Sequence, residues 1–154
     1  MIAHFDGEMM ALTALWTHGN AVVPETPHLL EEIAYRGFGA YVRLQRGTQQ
    51  WFHVPMPTPV FIRDSRPKVR KIMILGKSDV SSCIRKVHVF DNAKRVEDHS
   101  VTICGDKLAL SSGNTIWPND LTIYFGLGIS MLIDAQTFSA EFNFAGFGAD
   151  WEHP

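Results

Sequence analysis

Three histidines lie in or beside segments of alternating polarity: His18 in LWTHG, His53 in WFHVP and His88 in VHVF. Imidazole titrates near neutrality, so each is a candidate acid or base. It is also a common transition-metal ligand, and three imidazoles from separate strands would cap a metal with one position open. Spacing alone does not gather them, because no HxH, HxxxH or HExxH element is present. Three independent, half-buried histidines are the competing reading, so no metal is assigned and no cofactor is expected. Glu141 stands on the polar face of FSAEFNF, where a carboxylate beside a histidine in a cleft would move a proton and a solvated one would not. The catalytic candidates are therefore His18, His53, His88 and Glu141. His4, His28, His99 and His153 fall in loops or ends and receive no role.

Aromatic residues suggest different chemistry. Trp16, Trp51, Trp117 and Tyr124 each pair a large apolar face with one polar atom, which suits stacking on a sugar or planar ligand. Burial in the core is the alternative for each tryptophan, Trp151 included. Trp117, in the turn-like NTIWPND, is expected to be the most exposed. Gly126 and Gly128 sit on the non-core face of an apolar run, where glycine weakens a strand. A ring of the same chain, a neighbouring subunit or a ligand would each account for them. GxSxG, phosphate-binding glycine loops and Cys/His signatures are lacking, which removes support for the familiar hydrolase, kinase and nucleotide-binding readings.

The 154 residues fit one domain, read as a 1–9 extension followed by a 10–154 β-domain. Fourteen basic and sixteen acidic residues give a net charge of −2, so no general field attracts nucleic acid or anionic lipid. The basic cluster RDSRPKVRK, Arg63 to Lys71, reads as a solvated loop and strand face. No apolar run is long enough to span a bilayer, and the acidic start MIAHFDGEMM is unlike a signal peptide. Cytoplasmic placement follows as the expectation. Cys83 and Cys104 lack metal or redox spacing and read as buried thiols, since a bridge would require an oxidising compartment.

Period-two alternation organises the chain. From Leu121 to Ile133 every odd position is apolar, predicting one long strand, and FSAEFNF from Phe138 to Phe144 repeats the pattern after a DAQT connection. Shorter strands are expected over 12–17, 40–45, 50–54, 60–63, 69–76, 84–90 and 100–104. Pro55, Pro57 and Pro59 would remove amides from one edge of a strand over 51–62, making it a blunted edge strand. Leu29, Leu30 and Ile33 have helical spacing, so one short helix is expected at 27–36. Together these predict an all-β, antiparallel sandwich of jelly-roll type.

LWTHG, WFHVPMPTPV, the segment from VRKIMILGKS to VHVFDN, and the segment from GLGISMLI to FAGFGAD together resemble an uncharacterised family of short, stand-alone all-β proteins of bacteria and fungi. The resemblance spans roughly residues 10–151. It implies a compact sandwich and includes Trp16, His18, Gly19, Trp51, His53, Pro57, Pro59, His88 and Asp91 in its pattern. It supplies no catalytic residue. Asp91-Asn92 stands where the pattern has Asp-Gly, which questions a tight two-residue hairpin there.

Three functions remain in competition. The leading one is a self-associating module that binds a small ligand or carbohydrate. The others are a cofactor-free or metal-assisted isomerase or cyclase with a His/Glu pocket, and a self-assembling structural protein using the N-terminal arm. The sequence leaves open whether the protein is an enzyme. The expected partners are a sugar or small molecule and further copies of the chain, with no nucleic acid or membrane.

Overall fold

A computed structural model describes residues 9–135 and 140–154. In chain order its strands are β1 (Ala11–His18), β2 (Val23–Pro24), β3 (Leu30–Arg36), β4 (Gly39–Leu44), β5 (Thr48–Pro55), β6 (Lys68–Ser78), β7 (Cys83–Asp91), β8 (Lys94–Ile103), β9 (Asp106–Lys107), β10 (Thr115–Ile116), β11 (Leu121–Thr122), β12 (Leu127–Ala135) and β13 (Ala140–His153). They form two antiparallel sheets, the sandwich that the alternation predicts. The smaller runs β2-β5-β12-β7-β8. In the larger, β13 is the spine: β6 pairs along one edge, while β4 and β1 pair end to end along the other. Beyond β4 lies β3, and the short β9, β10 and β11 pair with β6.

Alternation sorts side chains into the core. Phe142 and Phe144 point inward, an extra residue at Ala145 shifts the register, and Phe147, Ala149 and Trp151 then take the inward positions. Phe144 joins the sheets, with ring centroids 5.3 Å from Phe52, 4.7 Å from Phe142 and 5.9 Å from Phe147. Burying each such ring stabilises the fold by about 1.5–3 kcal/mol. Gly19 lets the chain pass close to this hub, because a Cβ there would lie 1.8 Å from the Phe144 carbonyl oxygen.

Several expectations are corrected. Residues 27–36 form a three-residue 3-10 turn, Pro27–Leu29, followed by β3. The hairpin to β4, with Arg36 opposite Gly39, satisfies that backbone as strand and overrides the helical spacing. The run 121–133 is broken, since β11 belongs to the large sheet and β12 to the small one. At the break Asp91 accepts the Tyr124, Phe125 and Gly126 amides at 2.8, 3.0 and 3.1 Å. Phe125, odd-numbered but 71% exposed, is the one apolar position turned outward there.

β5 ends at Pro55, so Pro57 and Pro59 blunt no strand. Pro55 itself fits the reasoning: the next amide, of Met56, still donates to Leu127 O at 2.9 Å. Residues 60–63 form no strand, and Arg63 and Asp64, at φ 48° and 62°, make a turn closed by the Ile62–Ser65 bridge. The doubted hairpin does form, with Asp91 opposite Lys94 and Asn92 at φ 51°. Asparagine tolerates that left-handed conformation in glycine's place. Cys83 and Cys104 are joined by a disulfide, with Cα atoms 4.5 Å apart, rather than free. The end of the DAQT connection, Phe138 and nearly all of the N-terminal arm lie outside the described residues.

Candidate functional site

Trp16 and Trp117 meet in a groove of about 380 Å³ on the outer face of the large sheet. Trp16 projects from β1 opposite Gly148 of β13. A Cβ at Gly148 would lie 2.3 Å from Trp16 Cε2, so only glycine admits the ring onto bare backbone. The other side of Trp16 faces outward, leaving the residue 39% exposed, and Trp117 is 54% exposed. Lys71, Asp150, Ser111, Ser112 and Thr115 add hydrogen-bonding groups to the lining. The rim loop is held by the buried Asn114: its Nδ2 donates to Lys107 O at 3.3 Å and Ala109 O at 3.0 Å, and its Oδ1 accepts from Ser111 N at 2.9 Å.

Glu141 stands elsewhere on the same face. It lines a groove of about 510 Å³ with Phe38, Tyr41, Lys77, Asn143 and Leu108. Burial and the adjacent Glu141 carboxylate raise the Tyr41 phenol above its ordinary pKa. None of the three candidate histidines lines this groove.

His53 and His88 come together on the outer face of the small sheet, flanking Ser130 in one cross-strand row. His53 Nδ1 lies 2.7 Å from Ser130 Oγ and its Nε2 lies 3.0 Å from Glu25 Oε1. With Glu25 ionised, Nε2–H donates to it and Nδ1 accepts the serine hydroxyl. His88 lies 3.3 Å from Asp98, too poorly aligned for a hydrogen bond. Burial lowers its pKa, aided by Arg95 and Lys86 and opposed by Asp98. Its ring lies against Trp51, tilted by 39° at a centroid distance of 4.6 Å. Beside this row Gly128, Pro55, Phe90 and Asn92 line a groove of about 390 Å³.

His18 belongs to the other sheet and serves the backbone. Its Nδ1 accepts from Asn20 N at 3.1 Å, and its Nε2 lies 2.9 Å from Gly37 O. The three histidines are therefore not gathered, and among the described residues no group of three or more His, Cys, Asp or Glu side chains is arranged to hold a metal. Tyr124 lies at one end of the molecule, where Arg66 stacks 4.8 Å from its ring and 4.5 Å from that of Phe61. Gly128 is uncrowded, its nearest neighbours 3.9 Å from a would-be Cβ, and Gly126 lies against Asn92. The glycine on which a tryptophan ring of the same chain rests is Gly148.

Over residues 10–136 the sequence matches DUF6623, a family of unknown function. The chain belongs to this family. No curated protein matches the sequence. Among solved structures, this DUF6623 member is similar to the enzymatically active domain of tailspike protein 4 of bacteriophage CBA120, with TM-score 0.45 and 9% identity over 88% of this chain and 19% of that one. It is also similar to the exo-beta-1,3-galactanase of Phanerochaete chrysosporium with galactose, with TM-score 0.41 and 12% identity over 89% of this chain and 29% of that one. For a family 29 carbohydrate-binding module the TM-score is 0.41 and the identity 14%, over 93% and 87% of the two chains. The chain thus spans under a third of the length of the first two.

Proposed function

We propose that the protein is a glycan-binding β-sandwich whose platform is the Trp16–Trp117 groove. The observation that carries this reading is the seating of Trp16 on Gly148. A pyranose ring has apolar C–H faces that stack on an indole and edge hydroxyls that need hydrogen-bonding partners. The groove offers both, and an indole already immobilised loses little rotamer freedom on binding. Titration calorimetry with neutral oligosaccharides tests the reading. Saturable binding that Trp117→Ala weakens by about 30-fold, roughly 2 kcal/mol, is expected. Binding unaffected by that change would remove the groove from the account.

Self-association is part of this proposal. Among the described residues β1 pairs only with β13, leaving its other edge open, and Leu12 and Met10 are exposed beside it. An open apolar edge is a template for pairing with a second copy. Sedimentation of the native protein checks it, a monomer at high concentration being the adverse result. The bonded Cys83–Cys104 pair suits an oxidising setting better than the cytoplasm.

A second reading, an enzyme moving protons or acyl groups, is favoured by the Glu25–His53–Ser130 chain. It is weaker because Ser130 is 6% exposed and β12 pairs on both sides, which engages the amides an oxyanion would need. Turnover of an activated acetyl ester, lost in Ser130→Ala and in His53→Ala, would bring this reading forward.

A further inference from the structure

The two grooves of the large sheet share a floor and a wall. β13 supplies Asn143 and Glu141 to one and Asp150 to the other, and β6 supplies Lys77 and then Lys71 and Met73. Leu108 lines the first and Leu110 the second, so the segment held by Asn114 is a common rim. Asn143 and Gly148, the seat of Trp16, pair with Lys77 and Met73 of β6 and are therefore separated by roughly 13 Å at about 3.3 Å of strand rise per residue. That exceeds one sugar ring.

The first groove also has groups in want of a ligand. Asn143 Oδ1 is buried without a hydrogen-bond partner among the described residues. Leaving such an acceptor unmet costs about 1–3 kcal/mol, which a ligand hydroxyl would relieve. Tyr41 and Lys77 bring donors, Glu141 brings an acceptor, and Phe38 and Leu108 form apolar walls. Across both grooves the charges are Lys71 and Lys77 against Asp79, Glu141 and Asp150. This nearly balanced lining offers a polyanion no net attraction and suits an uncharged, polyhydroxylated chain.

We propose that the Tyr41–Asn143 groove is a second sugar subsite, and that the protein recognises an extended neutral glycan chain laid along β13 between it and Trp16. This rests on the glycan-binding reading of the Trp16–Trp117 groove. The two subsites act on one ligand, so affinity rises with chain length until both are filled.

The experiment titrates wild-type protein, Asn143→Ala, Tyr41→Phe and Trp16→Ala with neutral β-linked gluco-, manno-, xylo- and galacto-oligosaccharides of two and of six units. Thermal unfolding checks that each variant is folded. The expected result is a hexasaccharide bound about tenfold or more tighter than its disaccharide, with that ratio falling toward one in Asn143→Ala and Tyr41→Phe. Trp16→Ala weakens both lengths. Equal affinity for the two lengths, or a ratio unmoved by both β4 and β13 variants, overturns the track and leaves the Trp16 platform standing. A uronate hexasaccharide bound more tightly than every neutral one overturns the neutral-chain assignment. If neither length binds, or Trp16→Ala binds as wild type does, the platform itself fails and the track with it.

Discussion

Trp16 and Trp51 each project from a strand onto the outer face of a sheet, yet their surroundings differ. Trp16 lies opposite Gly148, which has no side chain, so one face of its ring rests on backbone and the other remains open. Trp51 lies opposite Leu132, with the His88 ring tilted against it at a centroid distance of 4.6 Å. Both project from strands, and Trp51 is the more buried of the two. What differs is the cross-strand neighbour, and that neighbour determines whether an aromatic side chain is a platform or packing.

The largest way to separate the two faces is redox. The Cys83–Cys104 bridge closes a segment with a sequence separation of 21 across β7 and β8, both in the small sheet. Reduction should destabilise the protein by about 3 kcal/mol by the loop-entropy relation. Chemical denaturation with and without reductant measures it. Glycan binding by the remaining folded protein should persist, because the platform is on the other sheet. A platform lost along with the bridge would show the faces to be coupled.

Next in size is the exchange of two glycines. Gly148→Val places methyl groups where the Trp16 ring lies and should cost about 2–3 kcal/mol through overpacking, with loss of oligosaccharide binding. Gly128→Ala meets nothing closer than 3.9 Å and should stabilise β12 by about 0.5 kcal/mol, since glycine weakens a strand interior. Equal responses would break the distinction between the two faces.

The tryptophans themselves give a smaller, crossed result. Trp16→Ala should lower glycan affinity by about 30-fold, roughly 2 kcal/mol, with a smaller loss of stability. Trp51→Ala should leave affinity unchanged and cost about 1–2 kcal/mol in stability, including its stacking on His88. Calorimetry and denaturation on both variants complete the cross.

Local patterns were legible from the sequence, and distant pairings were not. The two-residue period revealed β1, β4, β5, β6, β7 and the end of β8, because the two faces of each strand differ in exposure. It could not reveal that Trp16 meets Gly148, residues brought together only by the β1–β13 pairing. The signal is present as the alternating glycines of FAGFGAD, but their spacing equals that of Gly126 and Gly128 and does not say which of them a ring approaches. Glu25 was missed because it lies in a loop, and its partnership with His53 depends on the two-residue β2 strand docking on β5. The even apolar pattern of 121–133 concealed a sheet change, since a strand that leaves one sheet for the other keeps its alternation through Ile123 and resumes it at Leu127.

That crossing connects the two faces and can be weakened by acid. Burial alone would raise the Asp91 pKa, but the amides of Tyr124, Gly126 and Phe125, with the Arg66 charge, outweigh it and hold the carboxyl below its ordinary value. The folded form therefore binds its proton less readily than the unfolded chain. Its contribution is present in full above about pH 4, the unfolded aspartate range, and is lost as pH falls through the lower folded value. Asp91→Asn keeps the shape, removes the charge and should cost about 1 kcal/mol at neutral pH, a figure discounted for the group's partial exposure. Asp79 also titrates below its usual range, held there by Ser81 and Ser82 against the effect of burial. The informative quantity is therefore the difference between wild type and Asp91→Asn, which should shrink over the interval from about pH 4 downward, as pH falls through the lower folded value. A difference constant across that interval would mean that the three amides are held by the turn itself, with the carboxylate a bystander at the junction between the sheets.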